Sequence, residues 1–165
     1  MFATSYSQSL QNKNAITSAI KKSYKQINEY KSYKVVTIDD AEEFLDHSTD
    51  NGASLKGYLK DDSLKKIVEW IGLSNKVIQN EYYFDKDKLI FIYTKESLYK
   101  FDSHKQSFDY SKLEGSFTGR YYLNNENLID AILSDKQHIT TQREDAANFA
   151  SSAKEYSKLL TGKKK

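Results

Sequence analysis

A seven-residue pattern occurs three times in this chain: Tyr58-Leu59-Lys60-Asp61-Asp62-Ser63-Leu64, Tyr83-Phe84-Asp85-Lys86-Asp87-Lys88-Leu89, and Tyr122-Leu123-Asn124-Asn125-Glu126-Asn127-Leu128. In each copy an aromatic and an apolar residue give way to four polar ones, and an apolar run resumes at a leucine. Turn-forming side chains between two β-prone runs are the signature of a hairpin. The middle of the chain is thereby committed to paired antiparallel strands. The pattern specifies architecture and carries no chemistry of its own.

Strict alternation places Leu64, Val68 and Trp70 on one face after the first turn. After the second it places Leu89, Phe91 and Tyr93 on one face with Ile90 and Ile92 opposite. That hairpin reads as central. Phe117, Gly119, Tyr121 and Leu123 alternate before the third turn, and Leu98, Tyr99, Phe101, Phe108 and Tyr110 form a weaker hairpin around Ser103-His104-Lys105-Gln106.

Helical spacing frames this region. Ser5-Tyr6-Ser7-Gln8 fits a capping box, followed by Leu10, Ile16, Ala19, Ile20, Tyr24 and Ile27, which predicts a helix within residues 5–33. Lys34–Ile38 reads as a short strand. Asp39-Asp40 opens a two-turn helix through Phe44-Leu45, and Ser48–Ala53 is a loop by composition. Thr141-Gln142-Arg143-Glu144 is a second capping box, and Ala146, Phe149, Ala153, Tyr156 and Leu160 keep helical spacing over 141–161 until Gly162. The expected fold is α+β: one domain over residues 1–165, with an antiparallel meander of about six to eight strands over 54–135. The N-terminal and C-terminal helices are expected to cover one face of it.

Composition narrows the function. The chain has 165 residues, 25 basic and 23 acidic side chains and a net charge of +2, with charge of both signs interspersed. No strong field recruits nucleic acid, and only two arginines, Arg120 and Arg143, could read phosphate bidentately. Nucleic-acid binding is not expected. With no cysteine there are no disulfides, thiolate metal sites or cysteine nucleophiles. No apolar run is long enough to span a bilayer, and no transmembrane segment is expected.

The runs Ser48-Thr49-Asp50-Asn51-Gly52, Leu55-Lys56-Gly57-Tyr58, Glu81-Tyr82-Tyr83-Phe84-Asp85, Lys88-Leu89-Ile90-Phe91-Ile92-Tyr93 and Gly119-Arg120-Tyr121-Tyr122-Leu123 resemble small exported proteins of uncharacterised function from Bacteroidota. The resemblance covers residues 48–135 and rests on turn residues and strand aromatics. It implies a periplasmic or outer-surface location behind a signal or lipoprotein peptide, with the cytoplasm as the alternative where no leader precedes Met1. It brings no catalytic residue.

Individual side chains favour plain readings. His47, His104 and His138 show no metal-ligand spacing, and Asp85-Lys86-Asp87 lacks the later Gly and Glu of a calcium loop. Glu42-Glu43 and Glu144-Asp145 sit where helix N-termini attract negative charge. No cofactor, metal or catalytic group is expected. Lys22, Tyr24, Lys25, Tyr30, Lys31, Tyr33 and Lys34 interleave base and aromatic, but Tyr24 and Tyr30 continue the stripe of Ile16, Ile20 and Ile27, so the lysines snorkel beside a core.

The expected function is a non-enzymatic exported binding or structural domain, in its sharper form a protein or glycan interaction module on a Tyr-rich sheet face. The register-matched Tyr58, Tyr83 and Tyr122 are expected to be structural, and Tyr82, Tyr93, Tyr121 and Arg120 to face a partner. The alternatives are a cytosolic partner-binding protein, and a small-ligand carrier or enzyme whose pocket is lined by Tyr83, Phe91, Tyr122 and Trp70.

Overall fold

The computed structural model describes residues 2–135 and 140–162, with side chains from Ser7 onward. The order is α1 (Phe2–Glu29), β1 (Lys34–Ile38), α2 (Glu42–Leu45), β2 (Ala53–Lys60), β3 (Ser63–Gly72), β4 (Lys76–Asp85), β5 (Lys88–Asp102), β6 (Ser107–Asn124), β7 (Asn127–Leu133) and α3 (Gln142–Gly162). The strands form a single antiparallel sheet in sequential order β1 to β7. The meander with two long helices packed on it is as expected. Helix α1 begins at Phe2, three residues before the start that the Ser5–Gln8 pattern predicts, and the Ser5 side chain lies outside the described ones.

The three repeats fold alike. Lys60 pairs with Ser63, Asp85 with Lys88 and Asn124 with Asn127, which leaves the two-residue turns Asp61-Asp62, Lys86-Asp87 and Asn125-Glu126. All six turn residues have positive φ, between 47° and 66°, the mark of type I′ turns whose twist matches that of the flanking strands. One step after each returning leucine the register slips: Tyr58 faces Lys66 while Leu59 faces Leu64, so Lys65 is extra. Ile90 and Ile129 are extra in the same way.

An extra residue shifts every later side chain to the other face. Leu64 and Leu89 therefore pack in the core under α3, while Phe91 and Tyr93 lie on the α1 side, and Ile90 and Ile92 are separated too. This corrects the faces that strict alternation predicts for β3 and β5. Strand β6 has no such insertion near the third turn, and Tyr121 and Leu123 share one face as alternation predicts, which here lies in the α3-side core.

The two helices cover opposite faces, not one. Ile20 and Ile27 of α1 pack with Tyr83, Phe91 and Tyr122. Ala146, Ala153, Tyr156 and Leu160 of α3 pack with Leu55, Ile67, Tyr82, Ile92 and Tyr121, and Phe44 of α2 joins them. The reason is visible in adjacent pairs: Tyr82-Tyr83, Phe91-Ile92 and Tyr121-Tyr122 are each buried, with neighbours on opposite faces. A sheet apolar on both sides needs two covers. Helix α3 comes especially close at Gly57, where an added Cβ would sit 3.0 Å from Leu160 Cδ1.

Candidate functional site: a groove between α1 and the sheet

Register sorts the α1 side of the sheet into rows. One row runs Lys66, Tyr83, Phe91, Tyr122, Asp130 across β3 to β7, and the next runs Val68, Glu81, Tyr93, Arg120, Ile132. Directly opposed residues share a face and touch. Helix α1 seals the first row, where Tyr83 and Tyr122 are buried, but the second is only half-buried to exposed, with Ile132 at 48%. Between that row and the helix lies a groove of about 350 Å³ lined by Ile20, Lys21, Tyr24, Glu81, Phe91, Tyr93, Arg120 and Tyr122.

Its walls are aromatic and fixed by their neighbours. Tyr24 meets Phe91 edge-on at 5.3 Å and Tyr83 at 4.9 Å, and Phe91 lies 5.0 Å from Tyr122. Offset and edge-on arrangements at these distances are the favourable ones for ring quadrupoles. The Arg120 guanidinium lies over Tyr93 at 5.4 Å, and Lys21 Nζ lies over Tyr122 at 5.9 Å.

The carboxylate of the groove is occupied. Glu81 pairs with Lys66 Nζ at 2.8 Å, accepts from Gln79 Nε2 at 2.8 Å, and accepts a very short bond from the Tyr83 hydroxyl. Burial pushes the Glu81 carboxyl up, but the bonds from Lys66, Tyr83 and Gln79 outweigh it and hold it below the ordinary value of 4.5. Burial and the same carboxylate push the Tyr83 phenol far above its ordinary range. The Glu81 carboxyl and the Tyr83 phenol are thus displaced in opposite directions, away from neutral pH. The cluster ties β3, β4 and the groove wall together.

Of the four residues expected to face a partner, Tyr93 and Arg120 meet at this groove. Tyr82 and Tyr121 do not: each is 1% exposed, packed against Phe149 beneath α3, and Tyr82 also meets Tyr156. The expectation for these two is corrected, because α3 covers the face thought to be open. Burial, then the Asp145 and Glu96 carboxylates, pushes the Tyr121 phenol up to about 12. Of the residues expected to line a pocket, Phe91 and Tyr122 do, Tyr83 lies buried beside them, and Trp70 is on the same side of the sheet but outside the groove.

Sequence reasoning missed Lys21, Tyr24 and Glu81 as site residues. Lys21 reads as one more cation on the polar side of α1, and only the register of β4 shows that Glu81 stands in the row of Tyr93 and Arg120. His47 and His104 lie in a bend and a turn, and His138 is outside the described residues. Asp85 pairs in the hairpin with Lys88, and Asp87 is a turn residue. Among the described residues no cluster of three or more His, Cys, Asp or Glu could hold a metal ion, and no helix is long and apolar enough to cross a membrane.

No family model matches the chain, and neither a curated protein nor a solved structure shows significant similarity to it. The site rests on its own geometry.

A second feature stands apart. Beyond Leu98, β5 has no β4 partner, and before Thr118 β6 has none in β7, so residues 99–113 project as a two-stranded ribbon. Tyr99 packs on Tyr110 at 5.0 Å and Phe101 on Phe108 at 5.2 Å, while Phe101, Tyr110 and Leu113 remain 44%, 56% and 60% exposed.

Proposed function

We propose that this chain is a non-enzymatic binding domain, exported from the cell, that holds its ligand in the groove between α1 and the sheet. The observation that carries the reading is the juxtaposition at the groove of Arg120 and Lys21, each resting on a ring, with aromatic walls fixed from behind by buried neighbours. Concave, mostly apolar sites with a few convergent polar groups are the usual form of small-ligand sites, and about 350 Å³ falls within their size range. The saturated Glu81 supports binding over catalysis. Export is proposed on the resemblance to secreted Bacteroidota proteins, and fractionation of cells expressing the native gene tests it.

A screen of small aromatic and aliphatic fragments by NMR tests the site. Binders are expected to shift the resonances of Tyr24, Tyr93 and Arg120 and to leave the 99–113 ribbon unchanged. Shifts confined to the ribbon would favour a second reading, in which its exposed Phe101, Tyr110 and Leu113 contact a protein partner.

A further inference from the structure

Two cations, Lys21 and Arg120, line the α1-side groove, and two others of the same side are neutralised within the fold. Lys66 is paired with Glu81 at 2.8 Å and Lys13 with Asp130 at 3.0 Å. Arg120 and Lys21 are left with ring faces only, at 5.4 Å and 5.9 Å; among the described residues neither has a carboxylate within salt-bridge distance. The site therefore holds an excess of two positive charges beside an apolar floor of Ile20 and Phe91. The guanidinium lies over one face of the Tyr93 ring, which holds the cation at the groove.

The geometry points to a carboxylate as the ligand's anchoring group: a small apolar or aromatic acid, its charge held between Arg120 and Lys21 and its body against Tyr24 and Phe91. This rests on the groove being the ligand site. A guanidinium over a ring keeps its N–H groups at its rim, where the fork matches the two oxygens of a carboxylate; an ammonium adds a less directional charge from the other side. A groove of about 350 Å³ is near the small end for ligand sites and suits a single ring with a short acidic arm. Two sources present this chemistry, a free aryl acid and the C-terminal aromatic residue of a peptide.

The test is an NMR titration of the whole chain with phenylacetate, with its neutral isostere phenylacetamide, and with Gly-Gly-Phe bearing a free or an amidated C-terminus. Phenylacetate is expected to shift the Tyr24 and Tyr93 resonances and to bind at least about tenfold tighter than the amide, the loss expected when a charge-assisted pair is removed. Arg120→Gln and Lys21→Gln, both at exposed positions, are each expected to weaken the acid by about tenfold and the amide by clearly less, so that the preference for the acid narrows. Tighter binding of the free-acid peptide than of phenylacetate assigns the chain terminus as the source, and the reverse order a free acid. Equal binding of acid and amide in the groove overturns the carboxylate assignment while leaving the groove as the ligand site. No shift of the groove resonances with any of the four probes overturns both.

Discussion

Glu69 lies between Val68 and Trp70 in an otherwise apolar stretch of β3, and the register turns it toward α3, where it is 3% exposed. Its carboxylate accepts from Asn80 Nδ2 at 2.8 Å, Tyr82 OH at 3.0 Å and Tyr156 OH at 2.6 Å, while Thr94 Oγ1 donates to Asn80 Oδ1 at 2.7 Å. Tyr156 brings α3 into this network, which pins the helix to the sheet at a defined position. Tyr156→Phe keeps the ring and removes one donor, at an expected cost of about 1.5–3 kcal/mol in urea unfolding. A loss under about 0.5 kcal/mol would show that the network does not hold α3. The buried tyrosines also set an alkaline limit. Burial raises the phenols of Tyr82, Tyr83, Tyr121, Tyr122 and Tyr156 above 10.0. Their folded values exceed the unfolded one, so the stability they contribute is complete below about pH 10 and is lost as pH rises through the folded values. Glu81 acts in the opposite sense: its contribution is present above 4.5 and is lost as pH falls through its lowered folded value. Denaturant unfolding across the pH range should show a plateau between these limits, with tyrosinate absorbance from the buried rings appearing together with unfolding. Tyrosinate formed in the folded protein near pH 10 by these five would contradict their burial.

At the level of elements, the hairpin turns carry a conformational cost that the sequence discloses. Type I′ turns favour Asn-Gly, yet these turns are Asp-Asp, Lys-Asp and Asn-Glu, with Glu126 at φ 66°. A left-handed non-glycine residue costs roughly 1–2 kcal/mol, and glycine loses roughly 0.5–1 kcal/mol more backbone entropy on folding. Glu126→Gly should therefore stabilise the fold by about 0.5–1 kcal/mol in thermal melts; destabilisation would mean that Glu126 makes interactions outweighing the strain. The three hairpins were legible because turn chemistry is local. The inserted residues Lys65, Ile90 and Ile129 were not, since nothing in an apolar or basic residue marks it as the one without a cross-strand partner. That single slip per hairpin is why alternation placed Leu89 with Phe91 when the two lie in different cores.

Across the whole molecule, the sheet is the shared wall of two cores, and the α1-side groove exists because α1 seals one row of residues and leaves the next partly open. The meander order and both long helices could be read from periodicity. Which face each helix takes could not, because covering depends on both sides of the central strands at once, and adjacent pairs such as Tyr82-Tyr83 read equally well as one buried and one exposed ring. For the same reason Tyr93 and Arg120 were legible as surface candidates, while Lys21 was hidden among the lysines of α1. The most direct measurement is the paired thermal melt of Tyr82→Ala and Tyr83→Ala, neighbours on opposite faces that are 1% and 0% exposed. With a helix over each face, both substitutions should destabilise alike, by about 3–5 kcal/mol each. If either stayed within about 0.5 kcal/mol of the parent protein, that face would be open and the two-core account would be wrong.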